Sequence, residues 1–213
     1  MSAQIYLILV FLLIITVTLI SSSITFKVAK EEFNDKIKLD VSLPQMKESE
    51  QKINLFISEN KIEDNFSIGR IAEILKVKQG GIEKGIDSQA YLKEDNTTGE
   101  KVVVFKEGLS ESERNFVYAH EIAHILNGDS IPVTRPIGRN KAQIEQLADY
   151  TAAALLMPID SVFNFLRDNN YLDSSARKKV MLVRQLCRDY KVTEMIVLRR
   201  IKEVYALKNE NVK

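Results

Sequence analysis

One cysteine among 213 residues cannot close an internal disulfide, which excludes a small secreted scaffold held by cross-links and fits a reducing compartment. Four prolines and eight glycines exclude a collagen-like fibre, and 45% hydrophobic against 28% charged residues excludes disorder throughout. The length suits one domain, or a domain with an appendage. An excess of charge of either sign is also missing, at a net +1, yet the average conceals unlike parts. Residues 174–213 carry 11 Lys or Arg against 4 Asp or Glu, while the preceding residues carry 19 against 25. Histidine is the scarcest informative residue, with only two.

Charge is absent altogether from Met1 to Phe26, and Ile5 to Ile20 is almost wholly Ile, Leu, Val and Phe, interrupted by Thr16 and Thr18. As a helix, residues 3–22 would extend roughly 30 Å, enough to cross a bilayer core. A soluble buried helix is seldom apolar on every face for so long. A cleaved signal peptide would normally open with Lys or Arg, and none precedes Lys27. The reading is one transmembrane anchor over residues 1–24. Lys27 and Lys30 follow the span, which places the remaining chain in the cytoplasm of a single-pass cell-membrane protein.

Residues 25–60 read as a connector. Ile37, Leu39, Val41 and Leu43 alternate with polar residues before Pro44, the period of a short strand or tether, and residues 46–60 form a helix with Ile53, Phe56 and Ile57 inward. Ser67 to Lys78 is a second helix, which Gly80-Gly81 ends. Ile86–Leu92 and Lys101–Phe105 read as a hairpin with a polar loop. The chain is then helical: a capping box at Ser110 and Glu113 opens a helix over about 111–127 with Gly128 as its stop, another runs from about Lys141 to Met157, Pro158 opens the next, and 174–189 and 193–208 complete the set. This pattern is an α+β, mainly helical domain over residues 61–208.

His120-Glu121-Ile122-Ala123-His124 lies in the middle of the capped helix. Four residues make slightly more than one turn, so both imidazoles leave one face and can bind a single metal ion, with Glu121 beside it. Two histidines suit zinc, which takes three protein ligands in catalytic sites and keeps one position open. No histidine remains for the third position, and Cys187 is isolated in a segment that reads as helix core. Glu145 and Asp149 are four apart on the next helix and share a face. Glu145, with the longer arm, suits direct ligation; Asp149 suits an outer role, accepting a hydrogen bond from the free ring nitrogen of a histidine. Asp129 and Glu113 are weaker candidates for the third position.

These motifs, with the run from Glu145 through Leu155-Leu156-Met157-Pro158, resemble the ImmA/IrrE family of zinc metallopeptidases, whose pattern is HExxH, ExxA(D/N)xxA and LLMP. The resemblance extends over most of residues 60–207, including Ile68–Leu75, Leu109–Phe116 and the Tyr190–Glu194 stretch. Thr151 departs from it, standing where members often carry Phe, and so does the N-terminal span. The resemblance implies a zincin-like, gluzincin-like endopeptidase domain with one catalytic Zn2+ ion on His120, His124 and Glu145, and Glu121 as general base. It implies a helix-turn-helix transcriptional repressor as substrate. Oxyanion stabilisation would come from zinc with Tyr118, Tyr150, Arg135 or a backbone amide, and Lys101–Phe105 could be the sheet edge that receives an extended substrate.

The basic end, Leu186 to Ile201, loosely resembles a helix-turn-helix pair with Arg199 and Arg200 on its second helix. Three readings are open for it: a solvated pair completing the peptidase core, direct nucleic-acid binding, or attraction to anionic lipid. The alternative for the whole chain is a regulatory or binding protein with a structural or inactive zinc site, whose basic C-terminal helices contact DNA or a protein partner.

Overall fold

Ser42 opens the first helix, α1 (Leu43–Glu59), its backbone N–H donating to Gln45 Oε1 at 3.2 Å, with Pro44 in the first turn where its missing N–H costs nothing. In the computed structural model, residues 39, 41–62, 67–94, 98–129 and 141–210 are described. Helix α1 starts three residues earlier than its apolar pattern suggests, so Leu43 is helical and not the end of a strand. Ile37 falls outside the described residues, as does the apolar segment at 3–22; among the described residues no helix is long and apolar enough to cross a membrane. Met46, Ser49 and Ile53 are buried along one stripe of α1, with Phe56 and Ile57 partly buried beside them. The helix is therefore built into the core of the compact unit Leu39–Lys213.

Helix α2 (Ile68–Ile74) is shorter than its sequence pattern, because Lys76 takes a left-handed conformation (φ 55°) and turns the chain into a strand, β1 (Val77–Glu83). Gly80-Gly81, which reads as a breaker, lies inside this strand. A Cβ on Gly80 would stand 2.5 Å from Val102 Cγ1 and 3.0 Å from the Val103 carbonyl oxygen, so only glycine permits this approach, and the register slips between Gln79 and Ile82 as in a β-bulge. The hairpin is β2 (Ala90–Glu94) and β3 (Lys101–Lys106), antiparallel with Ala90 opposite Phe105. Strand β1 runs parallel to β3 on its other side, giving the order β1-β3-β2. The sheet is thus three-stranded and mixed, and Lys101–Phe105 is its centre, with Val103, Val104 and Phe105 buried. As the central strand, β3 has no free edge to offer a substrate.

The helical part follows: α3 (Glu111–Asn127), α4 (Lys141–Leu156), α5 (Ile159–Asp168), α6 (Ala176–Tyr190) and α7 (Glu194–Glu210). One apolar core joins α1, the sheet and faces of α3 and α4; a second joins α5, α6 and α7 to the end of α4 through Ala153 and Met157. Between them α3 and α4 meet through Ala119, Ala123, Ala148 and Ala152, all fully buried. Small side chains let the two helix axes come close, and that approach carries the next residue of each pair into reach of its partner.

Candidate metal centre

Helix α3 is fixed at both ends by its sequence. At its start the Ser110 N–H donates to Glu113 Oε2 at 2.7 Å and the Glu113 N–H returns to Ser110 Oγ at 3.3 Å, which commits Glu113 to capping and removes it as a ligand candidate. At its end Gly128 adopts φ 76°, its N–H bonding the Ile125 carbonyl and the Asp129 N–H that of His124 at 2.9 Å. This Schellman closure needs the left-handed residue that glycine supplies without strain. It also folds Asp129 back onto the helix face that carries His124.

On that face His120 and His124 stand with their Nε2 atoms 3.1 Å apart. Glu145 Oε2, from α4, lies 3.2 Å from His120 Nε2 and 3.7 Å from His124 Nε2. The other ring nitrogens are engaged: His120 Nδ1 pairs with Asp149 Oδ1 at 2.8 Å, and His124 Nδ1 pairs with Asp129 Oδ2 at 2.9 Å. With each Nδ1 held as the donor to a carboxylate, each Nε2 is the atom left to give its lone pair to a metal ion, and the two Nε2 atoms and Glu145 Oε2 converge on one point. Ligand atoms at zinc's bond length lie ~3.3 Å apart along the edge of a tetrahedron, which the three separations bracket. The donor set and its spacing therefore fit zinc, and His120, His124 and Glu145 together could hold a metal ion.

The electrostatics agree. Burial by itself would lower the pKa of His120, but its hydrogen bonds to Asp149 and Glu145 outweigh burial and raise it to about 9, so without a metal the ring is a cation and the carboxylates around it favour positive charge at this point. Glu145 is lowered, chiefly by its bond to His120. At Asp149 burial works upward and is overcome by the His120 bond and the Arg199 charge, leaving the carboxyl below its usual range. Glu121 goes the other way: burial raises it, against the pull of the two histidines, which is the direction a proton-accepting carboxylate needs.

The three ligand candidates and Glu121 line a cleft of about 490 Å³. Ser88 to Leu92, which includes the start of β2, also line it, as do Phe116, Val117 and Lys141, whose charge acts on Glu145. The strand beside the site is thus the edge strand β2, and the central β3 lies behind it. The two tyrosines do not take the oxyanion role. Tyr118 is buried with its hydroxyl donating to the Val77 carbonyl at 2.9 Å, and Tyr150 is buried on another face of α4 with its hydroxyl donating to Glu50 Oε1 at 2.7 Å. Neither lines the cleft. Arg135 lies outside the described residues.

Arg199 and Arg200 are not on a free basic face. Arg200 is wholly buried, its Nη2 donating to Glu50 Oε1 at 2.7 Å and its Nε to the Met157 carbonyl at 2.9 Å. Arg199 donates to Asp149 through Nη1 to Oδ2 and Nη2 to the backbone oxygen, both at 3.2 Å. Neither guanidinium is available to a phosphate backbone, so the nucleic-acid reading loses the two side chains on which it stood. Asp129 acts as the partner of His124, a role that spacing alone does not single out because it depends on the turn at Gly128.

A model of the IrrE N-terminal-like domain, Peptidase M78, matches residues 82–202, more than half of the chain. No curated protein matches the sequence. Among solved structures, a Mycobacterium tuberculosis transcriptional regulator is similar at 16% identity and a TM-score of 0.48, over 82% of this chain and 50% of that one. The chain thus spans about half the length of that protein.

Proposed function

The chain belongs to the family of the IrrE N-terminal-like domain, the M78 peptidases, and on that premise we propose that it is a zinc-dependent endopeptidase. The observation that carries this reading is the convergence of His120 Nε2, His124 Nε2 and Glu145 Oε2 in a cleft that also contains Glu121. A purely structural metal site has no use for a free carboxylate in the cleft, and a closed one would fill its fourth position with a protein ligand.

In the proposed reaction a bound zinc ion supplies Lewis acidity toward the scissile carbonyl and toward water. Glu121 accepts the proton of the attacking water on its carboxylate and passes it to the departing amine, and its raised pKa brings proton uptake and release closer together in energy. Asp149 and Asp129 keep the two imidazoles in one tautomer and one orientation throughout. The substrate lies extended along the outer edge of β2, its main chain adding to the sheet while Phe116 and Val117 receive an apolar side chain.

The substrate class is a helix-turn-helix transcriptional repressor, as the family resemblance implies, and the protein is held at the cell membrane by residues 3–22 with the peptidase in the cytoplasm. The charge-free stretch from Met1 to Phe26 supports the anchor. The test is co-expression of the full chain with small helix-turn-helix repressors from the same genome, beginning with any encoded beside its gene. Glu121→Gln is expected to keep one zinc per chain and to lose cleavage by 10²-fold or more; equal cleavage by that variant overturns the mechanism. Recovery of the full chain in the soluble fraction removes the anchor from this reading and leaves the peptidase assignment standing.

A further inference from the structure

The two histidines are held unequally. His124 and its partner Asp129 are both packed away, the Asp129 side chain only 3% exposed, so the surrounding protein keeps that carboxylate in place. The Asp149 side chain is 36% exposed and stands at the border of the cleft, where water could draw it out of line with His120. What occupies that border is Arg199. Its Nη1 holds Oδ2, the oxygen that His120 does not use, while Nη2 holds the backbone oxygen of the same residue. With His120 on Oδ1 and Arg199 on Oδ2 both carboxylate oxygens are held, and the contact to the backbone oxygen of the same residue keeps the planar guanidinium in place for it.

Arg199 is itself wedged. Its guanidinium lies 5.8 Å from the ring centre of Phe116, one turn before His120 on α3, and its Nε faces Glu203 Oε1 at 3.6 Å. Only 21% of its side chain is exposed. One guanidinium thus touches the helix of the histidines, the helix of the carboxylates and its own helix α7.

We propose that Arg199 is a positioning residue of the metal site: by fixing the Asp149 carboxylate it sets the ring of His120, and with it the affinity for zinc. The proposal rests on His120, His124 and Glu145 being zinc ligands. It gives the basic C-terminal helices a part in the peptidase that neither DNA nor lipid requires.

The test measures zinc affinity by chelator competition on the full chain, with Arg199→Met, Arg199→Lys and, as a control, the exposed Arg188→Met. Arg199→Met is expected to weaken zinc by roughly 10- to 100-fold, and Arg199→Lys, which keeps the charge but loses the fork, to fall between it and the wild type. Arg188→Met is expected to change nothing. Proton NMR of the zinc-loaded proteins supplies a readout that general loosening would not imitate: the His120 Nδ1 proton, held on Asp149, exchanges slowly in the wild type and faster in Arg199→Met, while the His124 Nδ1 proton, held on Asp129, is unchanged. If Arg199→Met fails to fold, Arg199→Lys carries the test alone. Affinities within twofold of the wild type and an unchanged exchange rate of the His120 Nδ1 proton overturn the role of Arg199 and leave the zinc site intact. A wild type that binds no zinc sinks the zinc reading first, and this role with it.

Discussion

Each imidazole of the site gives its Nδ1 to a carboxylate and turns its Nε2 toward Glu145 and the other ring, and this division is what a metal site requires of its histidines. The carboxylates divide likewise, Glu145 facing both Nε2 atoms while Asp149 and Asp129 each serve one Nδ1. Their removal should therefore have different consequences. Glu145→Ala leaves two histidines alone and is expected to abolish stoichiometric zinc, whereas Asp129→Ala keeps all three ligands and should weaken zinc by about 10- to 100-fold. Metal analysis after dialysis, with chelator competition, separates them; the reverse ranking would exchange the two assignments. Both histidines, Glu145 and Asp149 are legible in the sequence, because a spacing of four residues on a helix fixes a shared face before any tertiary structure is known. Asp129 is not, since it reaches His124 only through the turn at Gly128. The tyrosines mislead because a phenol near a catalytic motif in the chain says nothing of which way it points, and both turn inward to the core.

At the scale of elements, the site depends on how closely α3 and α4 approach, and four alanines set that distance. Three of them lie directly beside or one turn from a ligand candidate: Ala119 and Ala123 precede His120 and His124, and Ala148 is one turn after Glu145. Enlarging one should push the helices apart and open the ligand triangle together with the core. Ala148→Leu is expected to cost about 1–3 kcal/mol in urea unfolding and to lower zinc affinity in the same protein. Unchanged zinc affinity in a destabilised variant would show that the ligands tolerate the displacement. The helices themselves are readable from caps and apolar spacing, as Ser110, Glu113 and Gly128 illustrate for α3. Strand β1 is not, for its partner begins 24 residues later and its Gly80-Gly81 reads as a break until the close approach to Val102 explains it. Missing that parallel strand is what puts β3 at an edge, when the edge facing the cleft is β2.

Across the whole molecule the chain is closed by contacts between its distant parts. Helix α1 precedes the family-matched residues 82–202, yet its Glu50 accepts from Arg200 Nη2 on α7, 150 residues away, and from the Tyr150 hydroxyl on α4. At the next residue of α4, Thr151 shares a 2.8 Å hydrogen bond with Ser49 of α1 and also donates to Asn127 at the end of α3. The hydroxyl at position 151, where related sequences often carry Phe, thus ties α1 to both site-bearing helices. None of this is visible in the sequence, where Arg200 belongs to a basic run and Glu50 to a balanced connector; composition cannot reveal that two opposite charges will be buried together. A fully buried guanidinium is tolerable only beside counter-charge, and Arg200 has two carboxylates, Glu50 at 2.7 Å and the buried Glu203 at 3.5 Å. Glu50→Gln removes the shorter contact and leaves the longer, so it should cost less than the roughly 3–5 kcal/mol of an unpaired buried charge, though Glu50 touches no site residue. Adding Arg200→Met removes the group that Glu50 served, so the double variant is expected to be more stable than the sum of the single effects by at least about 1 kcal/mol. Urea unfolding of the four proteins in the cycle reads this coupling directly, and strict additivity would mean that α1 and α7 are held together by their apolar contacts alone.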